Sequence, residues 1–273
     1  MIFNKLERFN ISLTSMIIPF NKYHGTGNDF IIIDNRKSIF NPADTKLINR
    51  LCDRRFGIGA DGFILISTHK NYDFEMKYFN SDGNESSMCG NGGRCAARFV
   101  YSKGIAGNKQ RFLTIDGKHE ALILNELIRL QMNDVIRFSL VAGNYFLNTG
   151  SPHYVKFIKN VKDFDVYTEG KKVRLSDEFA PGGTNVNFAE VFDYGIYVRT
   201  FERGVEDETL SCGTGVTASA IASVLAGHFD TNVVNVATRG GNLSVEFKMN
   251  KDKITDIWLC GPAMFVFDGK IEV

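Results

Sequence analysis

The sequence has few prolines and cysteines, almost no net charge and no long apolar run. Each of these shortages argues against a class of protein. Among 273 residues there are only five prolines and five cysteines, and the formal charge is +1. No apolar run approaches the roughly 20 residues of a membrane-spanning helix, so no membrane partner is expected. A nucleic-acid binder would normally carry a basic surplus, which this chain lacks. With 44% hydrophobic residues the chain is an ordinary globular sequence, long enough for two domains of about 130 residues each.

The cysteines are sparse and odd in number, at positions 52, 89, 95, 212 and 260. Without a secretory signal, such a set predicts free thiols in a reducing compartment, and we expect a cytoplasmic protein. The first residues lack the long apolar core and the small-residue cleavage site of a signal peptide. We interpret residues 1–15 as an N-terminal extension, with Met16 as an alternative start.

Short runs rich in Ile, Val, Phe and Tyr, bounded by Gly, Asn or Asp, predict many strands. Far fewer stretches predict helices, and the last of these is apolar nearly all round, which indicates a buried helix. The predicted helices are 44–55, 92–102 and 215–226. The predicted strands are 30–34, 62–66, 74–79, 112–115, 121–124, 128–132, 153–157, 187–191, 195–200, 233–237, 243–248 and 254–260.

Two of the predicted helices follow the same four-residue pattern. Cys89-Gly-Asn-Gly precedes the helix at 92–102, and Cys212-Gly-Thr-Gly precedes the helix at 215–226. Each copy lies where a strand, a polar loop and a helix meet, which indicates an internal repeat at the scale of a domain. We predict an α+β (α/β) fold of two pseudo-symmetric domains, each a curved, mainly antiparallel sheet wrapped around a central helix. The domains are predicted at 16–133 and 134–263.

A thiol at the start of a helix faces unpaired backbone N–H groups and the positive end of the helix dipole. We expect this field to lower the pKa of Cys89 and Cys212, and the glycines to leave amides open to a substrate carboxylate. Two such thiols facing each other offer a base on one side of a carbon and an acid on the other. A cofactor-free amino-acid racemase or epimerase needs that arrangement. A reversible Cys89–Cys212 disulfide is the expected oxidised, inactive state.

Other interpretations of the cysteines stay open at this stage. Free cysteine is usually a small buried hydrophobe, which suits Cys52, Cys95 and Cys260 inside helix or strand patterns. Zinc binding by Cys89 and Cys95 would need two further ligands, and the five histidines form no recognisable cluster. A Cys-His hydrolase with His153 as base would leave the repeated motif unexplained. A non-catalytic binding protein for a dicarboxylic amino acid would leave the paired thiols without a purpose.

The segment 57–62, Gly-Ile-Gly-Ala-Asp-Gly, matches the dinucleotide-binding fingerprint letter by letter. That fingerprint requires a strand before it and a helix after it. Here a predicted helix precedes the segment and a predicted strand follows it. We therefore expect no nicotinamide cofactor.

Several long motifs follow one another from about Met16 to the C-terminus: KYHGTGNDFIIID, RRFGIGADG, FNSDGNESSMCGNGGRCAARF, TGSPHYV, GTNVNF and RTFERGVEDETLSCGTG. Together they resemble the diaminopimelate epimerase family. The resemblance implies interconversion of LL- and meso-2,6-diaminopimelate in lysine and peptidoglycan precursor biosynthesis, without metal or pyridoxal phosphate. It also implies a homodimer, and a last strand at 264–273 that returns to the first domain. An enzyme of the related proline racemase type, acting on another amino acid, is the alternative.

The resemblance further implies roles for individual residues. Cys89 and Cys212 are the acid/base thiols, and His153 and Glu202 assist near them. Gly62 stands where many family members have glutamine, and Ser151 where many have asparagine; both departures concern the distal end of the substrate. The implied substrate contacts are Asn28, Asn80, Gly90, Asn91, Asn185, Glu202, Arg203, Gly213 and Thr214.

Overall fold

Strands dominate the computed structural model, which describes residues 16–250 and 253–273; the predicted extension at 1–15 lies outside them. The described residues form four α-helices: α1 (Thr45–Cys52), α2 (Gly90–Ser102), α3 (Val166–Arg174) and α4 (Gly213–Leu225). They also form 18 strands, all linked by hydrogen bonds into one sheet. The first nine are β1 (Ile17–Gly25), β2 (Asn28–Asp34), β3 (Gly62–Ser67), β4 (Phe74–Asn80), β5 (Glu85–Ser86), β6 (Lys109–Thr114), β7 (Gly117–Leu124), β8 (Leu127–Gln131) and β9 (Phe138–Val141).

The second half of the chain is equally rich in strands. No helix among the described residues is long and apolar enough to cross a membrane. The remaining strands are β10 (Asn144–Asn148), β11 (Pro152–Phe157), β12 (Asn185–Phe192), β13 (Gly195–Glu202), β14 (Asp207–Thr209), β15 (Val233–Thr238), β16 (Gly241–Asn250), β17 (Lys253–Pro262) and β18 (Met264–Glu272).

Every predicted strand run coincides with an observed strand, apart from terminal residues. The prediction missed the short strands β5, β9, β10 and β14, which are too brief to show an alternation. It also missed β1, because polar Asn21 and Lys22 interrupt its apolar pattern. Helix α3 was missed because it buries only Val166 and Gly170 and so lacks a wide apolar face.

Helices α2 and α4 begin two residues earlier than predicted, at Gly90 and Gly213. The sequence interpretation assigned these glycines to loops, because glycine is a poor helix former. In the structure they lie in the first helical turn, so Cys89 and Cys212 become the residues that start the helices.

Each of these two helices lies inside a curved layer of strands. Helix α2 contacts β1, β2, β3, β7 and β8, whereas α4 contacts β10 to β13, β15 and β16. Helix α4 is buried on nearly all sides, as its composition predicts. One apolar cluster continues from the α2 side, with Ala96 and Phe99, to the α4 side, with Val216 and Ile221. A second cluster packs α1 against the other face of β2 and β3.

Two strand pairings cross between the halves of the chain. Strand β17 pairs antiparallel with β8, and β18 pairs antiparallel with β1. These pairings bring the N-terminal ends of α2 and α4 into contact. The exact domain boundaries, at 133/134 and 263/264, stay a prediction.

Candidate active site

The first turns of α2 and α4 touch through two glycines. A Cβ atom placed on Gly213 would lie 3.2 Å from the Cα of Gly90, and one on Gly90 would lie 3.4 Å from the Cα of Gly213. Leu259 packs against both positions from β17. This approach requires glycine, because a side chain on either residue would push the helices apart. Cys89 and Cys212, the residues that start the two helices, therefore flank one helix–helix contact.

On the α2 side, Asn28 and Asn91 surround the first thiol. The Cys89 sulfur lies 3.6 Å from Oδ1 of Asn28, and Nδ2 of Asn91 lies 3.3 Å from the same oxygen. Asn91 also donates to the carbonyl of Ser211 at 2.8 Å, which ties α2 to the segment that leads into α4. The Asn28 oxygen thus accepts hydrogen bonds from both the thiol and the Asn91 amide.

A network of charged residues fixes the orientation of Asn28. Its Nδ2 donates to Asp61 at 2.8 Å, which leaves Oδ1 pointing at the thiol. Arg54 bonds both Asp61 and Asp29, and Lys22 pairs with Asp29 at 2.7 Å. Burial alone would raise the pKa of Asp29, but hydrogen bonds from Arg54 and Lys22 outweigh it and hold that pKa well below its usual range.

On the α4 side, the second thiol is connected to a histidine through a hydroxyl. The Cys212 sulfur lies 3.4 Å from Oγ1 of Thr214, and Nε2 of His153 lies 2.9 Å from that oxygen. Burial lowers the pKa of His153 to about 3, so its imidazole is neutral at physiological pH. The structure therefore places His153 beside the Cys212 thiol with Thr214 between them.

The direction of these hydrogen bonds follows from Asn187. Its Nδ2 donates to the Tyr154 carbonyl at 3.0 Å and lies 3.1 Å from Nδ1 of His153, while its Oδ1 accepts from Thr200 at 2.9 Å. Because the amide donates to Nδ1, the neutral imidazole carries its proton on Nε2. His153 then donates to Thr214, and the Thr214 hydroxyl is free to donate to the Cys212 sulfur.

Glu202 completes this side of the site. Its Oε2 accepts a hydrogen bond from Thr209 at 2.9 Å, and the neighbouring Cys212 also lowers the pKa of this carboxyl. Burial raises the pKa of Glu202 by more than these two neighbours lower it. The carboxyl is thus a group able to exchange a proton with Cys212.

The expected lowering of the thiol pKa values was wrong for the region around Cys89 and Cys212, which is called the cleft below. Burial raises the pKa of Cys89 to about 11 and that of Cys212 well above its ordinary value, and the Glu202 carboxylate acts in the same direction. Backbone amides at the helix starts do lower both values, as the dipole argument predicts. Desolvation of the thiolate is the larger effect, because the surrounding residues exclude water.

A third group of predicted residues lies around Ser151. Asn185 donates from Nδ2 to Oγ of Ser151 at 2.9 Å, and its Oδ1 accepts from the Arg203 amide at 2.9 Å. The Arg203 guanidinium lies 3.4 Å from the same Ser151 hydroxyl. Asn80 is exposed at the end of β4, opposite Gly62 in the β3–β4 pairing. Polar groups for a second, charged end of a ligand are therefore present.

Comparison with known proteins shows the family to which this chain belongs. Residues 20–135 and 145–266 match the family described as Diaminopimelate epimerase. A relative named diaminopimelate epimerase in Flavobacterium psychrophilum is 51% identical over 92% of this chain and 98% of its own length. Another of that name in Chlorobaculum tepidum is 44% identical over 91% of this chain and 99% of its own length. The chain belongs to the diaminopimelate epimerase family. The resemblance drawn from the sequence motifs is confirmed.

Solved structures outside the diaminopimelate epimerase family share the fold. A phenazine biosynthesis protein of the PhzF family from Bacillus anthracis superposes with a TM-score of 0.76 at 15% identity, over 94% of this chain and 99% of that one. A probable proline racemase from Agrobacterium radiobacter superposes with a TM-score of 0.69 at 14% identity, over 93% of this chain and 92% of that one. These matches confirm the predicted fold class.

The sequence missed the residues that orient the predicted ones. Asp61 and Asn187 both lie inside motifs that carry the family resemblance, so their motifs were the available signal. Neither stood out, because Asp61 beside Gly62 is a default turn residue and Asn187 is the first residue of a predicted strand. Cys52 and Cys95 are buried in the core, as predicted, whereas Cys260, expected to be buried as well, is only half-buried. Across 16–250 and 253–273, no group of three or more His, Cys, Asp and Glu side chains is placed to hold a metal ion.

Proposed function

We propose that this chain interconverts LL- and meso-2,6-diaminopimelate by a two-base mechanism that uses no pyridoxal phosphate, in lysine and peptidoglycan precursor biosynthesis. The observation that carries the proposal is the pair of cysteines at two helix starts that touch through Gly90 and Gly213. Membership of the diaminopimelate epimerase family supports the choice of substrate.

The reacting α-carbon lies between the two sulfurs. One thiolate removes the α-hydrogen from one face, and the other thiol delivers a proton to the opposite face, which inverts the centre. The α-carboxylate binds the open amides at Gly90–Asn91 and Gly213–Thr214. These amides and the two helix dipoles stabilise the negative charge that develops on the carboxylate side of the carbanion.

The hydrogen bonds around the thiols assign their resting protonation. Asn28 offers Cys89 only an acceptor oxygen, so Cys89 is protonated at rest and serves as the acid in the direction in which Cys212 is the base. In the reverse direction the Cys89 thiolate is the base and the Cys212 thiol is the acid. Cys212 receives the Thr214 hydroxyl, and the neighbouring Glu202 carboxylate takes the thiol proton when Cys212 becomes the base. The substrate ammonium adds a positive charge beside both sulfurs, which lowers the raised thiol pKa values when substrate binds.

The non-reacting end of diaminopimelate carries a carboxylate and an ammonium group. Arg203 is the cation for that carboxylate, and Asn185 and Ser151 hold it in place through the bonds described above. Asn80 lies exposed at the end of β4. A small cyclic amino acid such as proline has no second charged end to occupy these groups, which favours diaminopimelate over the proline racemase alternative.

We further propose a cytoplasmic homodimer. Among the described residues β18 pairs with β1 alone, and Met264, Phe265, Val266 and Phe267 on it are exposed. An apolar strand with a free edge is a typical surface for a second copy of the same chain. The five unpaired cysteines suit a reducing compartment. Sedimentation analysis of the reduced protein tests the dimer, and a monomer at micromolar concentration contradicts it.

Deuterium exchange tests the reaction. LL-diaminopimelate incubated in D2O with the reduced enzyme is expected to gain deuterium at one α-carbon and to form the meso isomer. Cys89→Ala and Cys212→Ala are each expected to abolish epimerisation, because either change removes one of the two bases. Cys260→Ala, which removes a thiol outside the site, is the matched control and keeps full activity.

Three outcomes contradict the proposal. A folded wild type that exchanges no α-hydrogen of diaminopimelate is not this epimerase. Exchange of proline in place of diaminopimelate establishes the alternative substrate class. Full epimerisation by either single cysteine variant excludes the two-base mechanism.

A further inference from the structure

Gly62 of β3 and Tyr78 of β4 are in contact beside the cleft. A Cβ atom on Gly62 would lie 2.6 Å from Cε2 of Tyr78 and 3.1 Å from its hydroxyl oxygen. The ring of Tyr78 thus fills the space that a side chain at position 62 would need. The absence of a side chain at position 62 is therefore what lets the phenol lie there.

Strand β4 directs Tyr78 into the cleft. Alternate residues of a strand share a face, so Phe74, Met76, Tyr78 and Asn80 point to the α2 side of the sheet. Phe74 and Met76 are buried in the core, Tyr78 is half-buried, and Asn80 is exposed. The phenol therefore lies where the core ends and the cleft begins, one strand step before Asn80.

Aromatic packing holds the ring in this place. Tyr78 meets Phe30 edge to face, with ring centroids 6.1 Å apart, and Phe30 in turn lies against the first turn of α2 at Gly92. Tyr78 and Cys89 pack against the same apolar cluster. Because the ring is fixed by its packing, the hydroxyl lies at a defined position.

The surroundings of the phenol are negative. Burial raises the pKa of Tyr78 well above its usual value, and the carboxylates of Glu202 and Asp61 act in the same direction. Among the described residues, no hydrogen bond contributes to this shift in the pKa of Tyr78. The Tyr78 hydroxyl therefore stays protonated, and its oxygen can still accept a hydrogen bond. The nearby carboxylates favour a cationic partner for that oxygen.

We propose that Tyr78 is a specificity-determining residue. Its hydroxyl oxygen accepts a hydrogen bond from the ammonium group at the non-reacting end of the substrate. The ring that carries this hydroxyl lies in the space that Gly62 leaves open. The proposal rests on the proposed function. The carboxylates of Asp61 and Glu202 complement this ammonium group. Arg203 complements the carboxylate of the same end.

Kinetics of Tyr78→Phe test the contact, because this variant keeps the packed ring and removes only the hydroxyl. KM for diaminopimelate is expected to rise roughly five- to tenfold, with kcat within about twofold of wild type, as for loss of one hydrogen bond to a charged group. Tyr23→Phe is the matched control, since the Tyr23 hydroxyl bonds Ser102 at 3.1 Å outside the cleft. The control is expected to leave KM unchanged.

Two further measurements separate binding from structure. The inhibition constant of 2-aminopimelate, which lacks the second ammonium group, is expected to be the same for wild type and Tyr78→Phe. Gly62→Ala, whose Cβ displaces the ring, is expected to raise KM, and the double variant Tyr78→Phe/Gly62→Ala to raise it no further than the larger single effect.

Each of the following results would contradict one specific claim of the proposal. An unchanged KM in an active Tyr78→Phe enzyme, or an equal weakening of 2-aminopimelate, overturns the contact with the ammonium group. If the KM increases of Tyr78→Phe and Gly62→Ala multiply in the double variant, the link between Gly62 and Tyr78 is overturned. A wild type without α-hydrogen exchange overturns the proposed function, and with it this role of Tyr78.

Discussion

The hydroxyl of Thr214 lies 2.9 Å from Nε2 of His153, and this contact connects the buried imidazole to the Cys212 thiol. Asn187 donates to the other ring nitrogen, so the imidazole donates and the hydroxyl passes its own hydrogen on to sulfur. The Thr214 hydrogen bond lowers the pKa of Cys212 against the larger effect of burial. It therefore stabilises the thiolate that the proposed mechanism requires.

Thr214→Val is expected to lower kcat on the order of tenfold, because the thiolate of Cys212 loses its donor. Removal of that donor raises the pKa of Cys212 further, so the pH–kcat/KM profile is expected to shift to higher pH. Thr214→Ser keeps the hydroxyl and is expected to restore both the rate and the profile. A Thr214→Val enzyme with the wild-type profile excludes this role.

The contact between Gly90 and Gly213 carries a second prediction. Gly213→Ala is expected to lower kcat by roughly tenfold or more, because its Cβ pushes the two helix starts apart and misplaces both thiols. The melting temperature is expected to fall as well, since the new methyl group also meets Leu259 at 3.1 Å. Gly107→Ala is the matched control, because nothing lies within 4 Å of the added Cβ there. A wild-type rate in Gly213→Ala contradicts the requirement for close contact.

His153 predicts a pH-dependent stability. Burial lowers its pKa to about 3 in the folded protein, whereas an unfolded histidine titrates near 6.5. Between these values the unfolded chain binds a proton that the folded protein does not. The contribution of His153 is therefore complete above pH 6.5 and is lost as the pH falls toward 3. Relative to His153→Asn, the wild type is expected to lose about 2 kcal/mol of unfolding free energy between pH 7.5 and 5.

Urea unfolding at the two pH values measures this difference. His228→Asn, a change at an exposed histidine beyond the end of α4, serves as control and is expected to follow the wild type. Equal pH sensitivity of the wild type and His153→Asn contradicts a neutral, buried imidazole.

Much of the architecture was predictable because its signals are local. Alternating Ile, Val and Phe residues predicted the longer strands, and the apolar composition of 215–226 predicted a buried helix. The starts of α2 and α4 were placed two residues late, because the packing of Gly90 on Gly213 overrides the low helix propensity of glycine. Short strands such as β9 exist through pairing with a neighbour, which no local pattern contains.

The predicted site residues were found through motifs, but their arrangement needed the structure. Asn28 and Cys89 lie far apart in the sequence and meet only because α2 packs against β2. Asp61 and Asn187 act by orienting Asn28 and His153, so their importance depends on contacts between strands. Tyr78 has the spacing of a core residue, and only the structure shows that its ring lies against Gly62.

By itself the sequence determined that two cysteines start two similar helices, since that follows from a repeated motif and its flanking patterns. It also determined the diaminopimelate epimerase family. The tertiary structure decided how acidic those thiols are. The helix dipole, which the sequence predicts, lowers the pKa of Cys89 and Cys212, but burial by residues from both halves of the chain raises it by more. Desolvation depends on everything that surrounds a group, and only the folded chain brings those surroundings together.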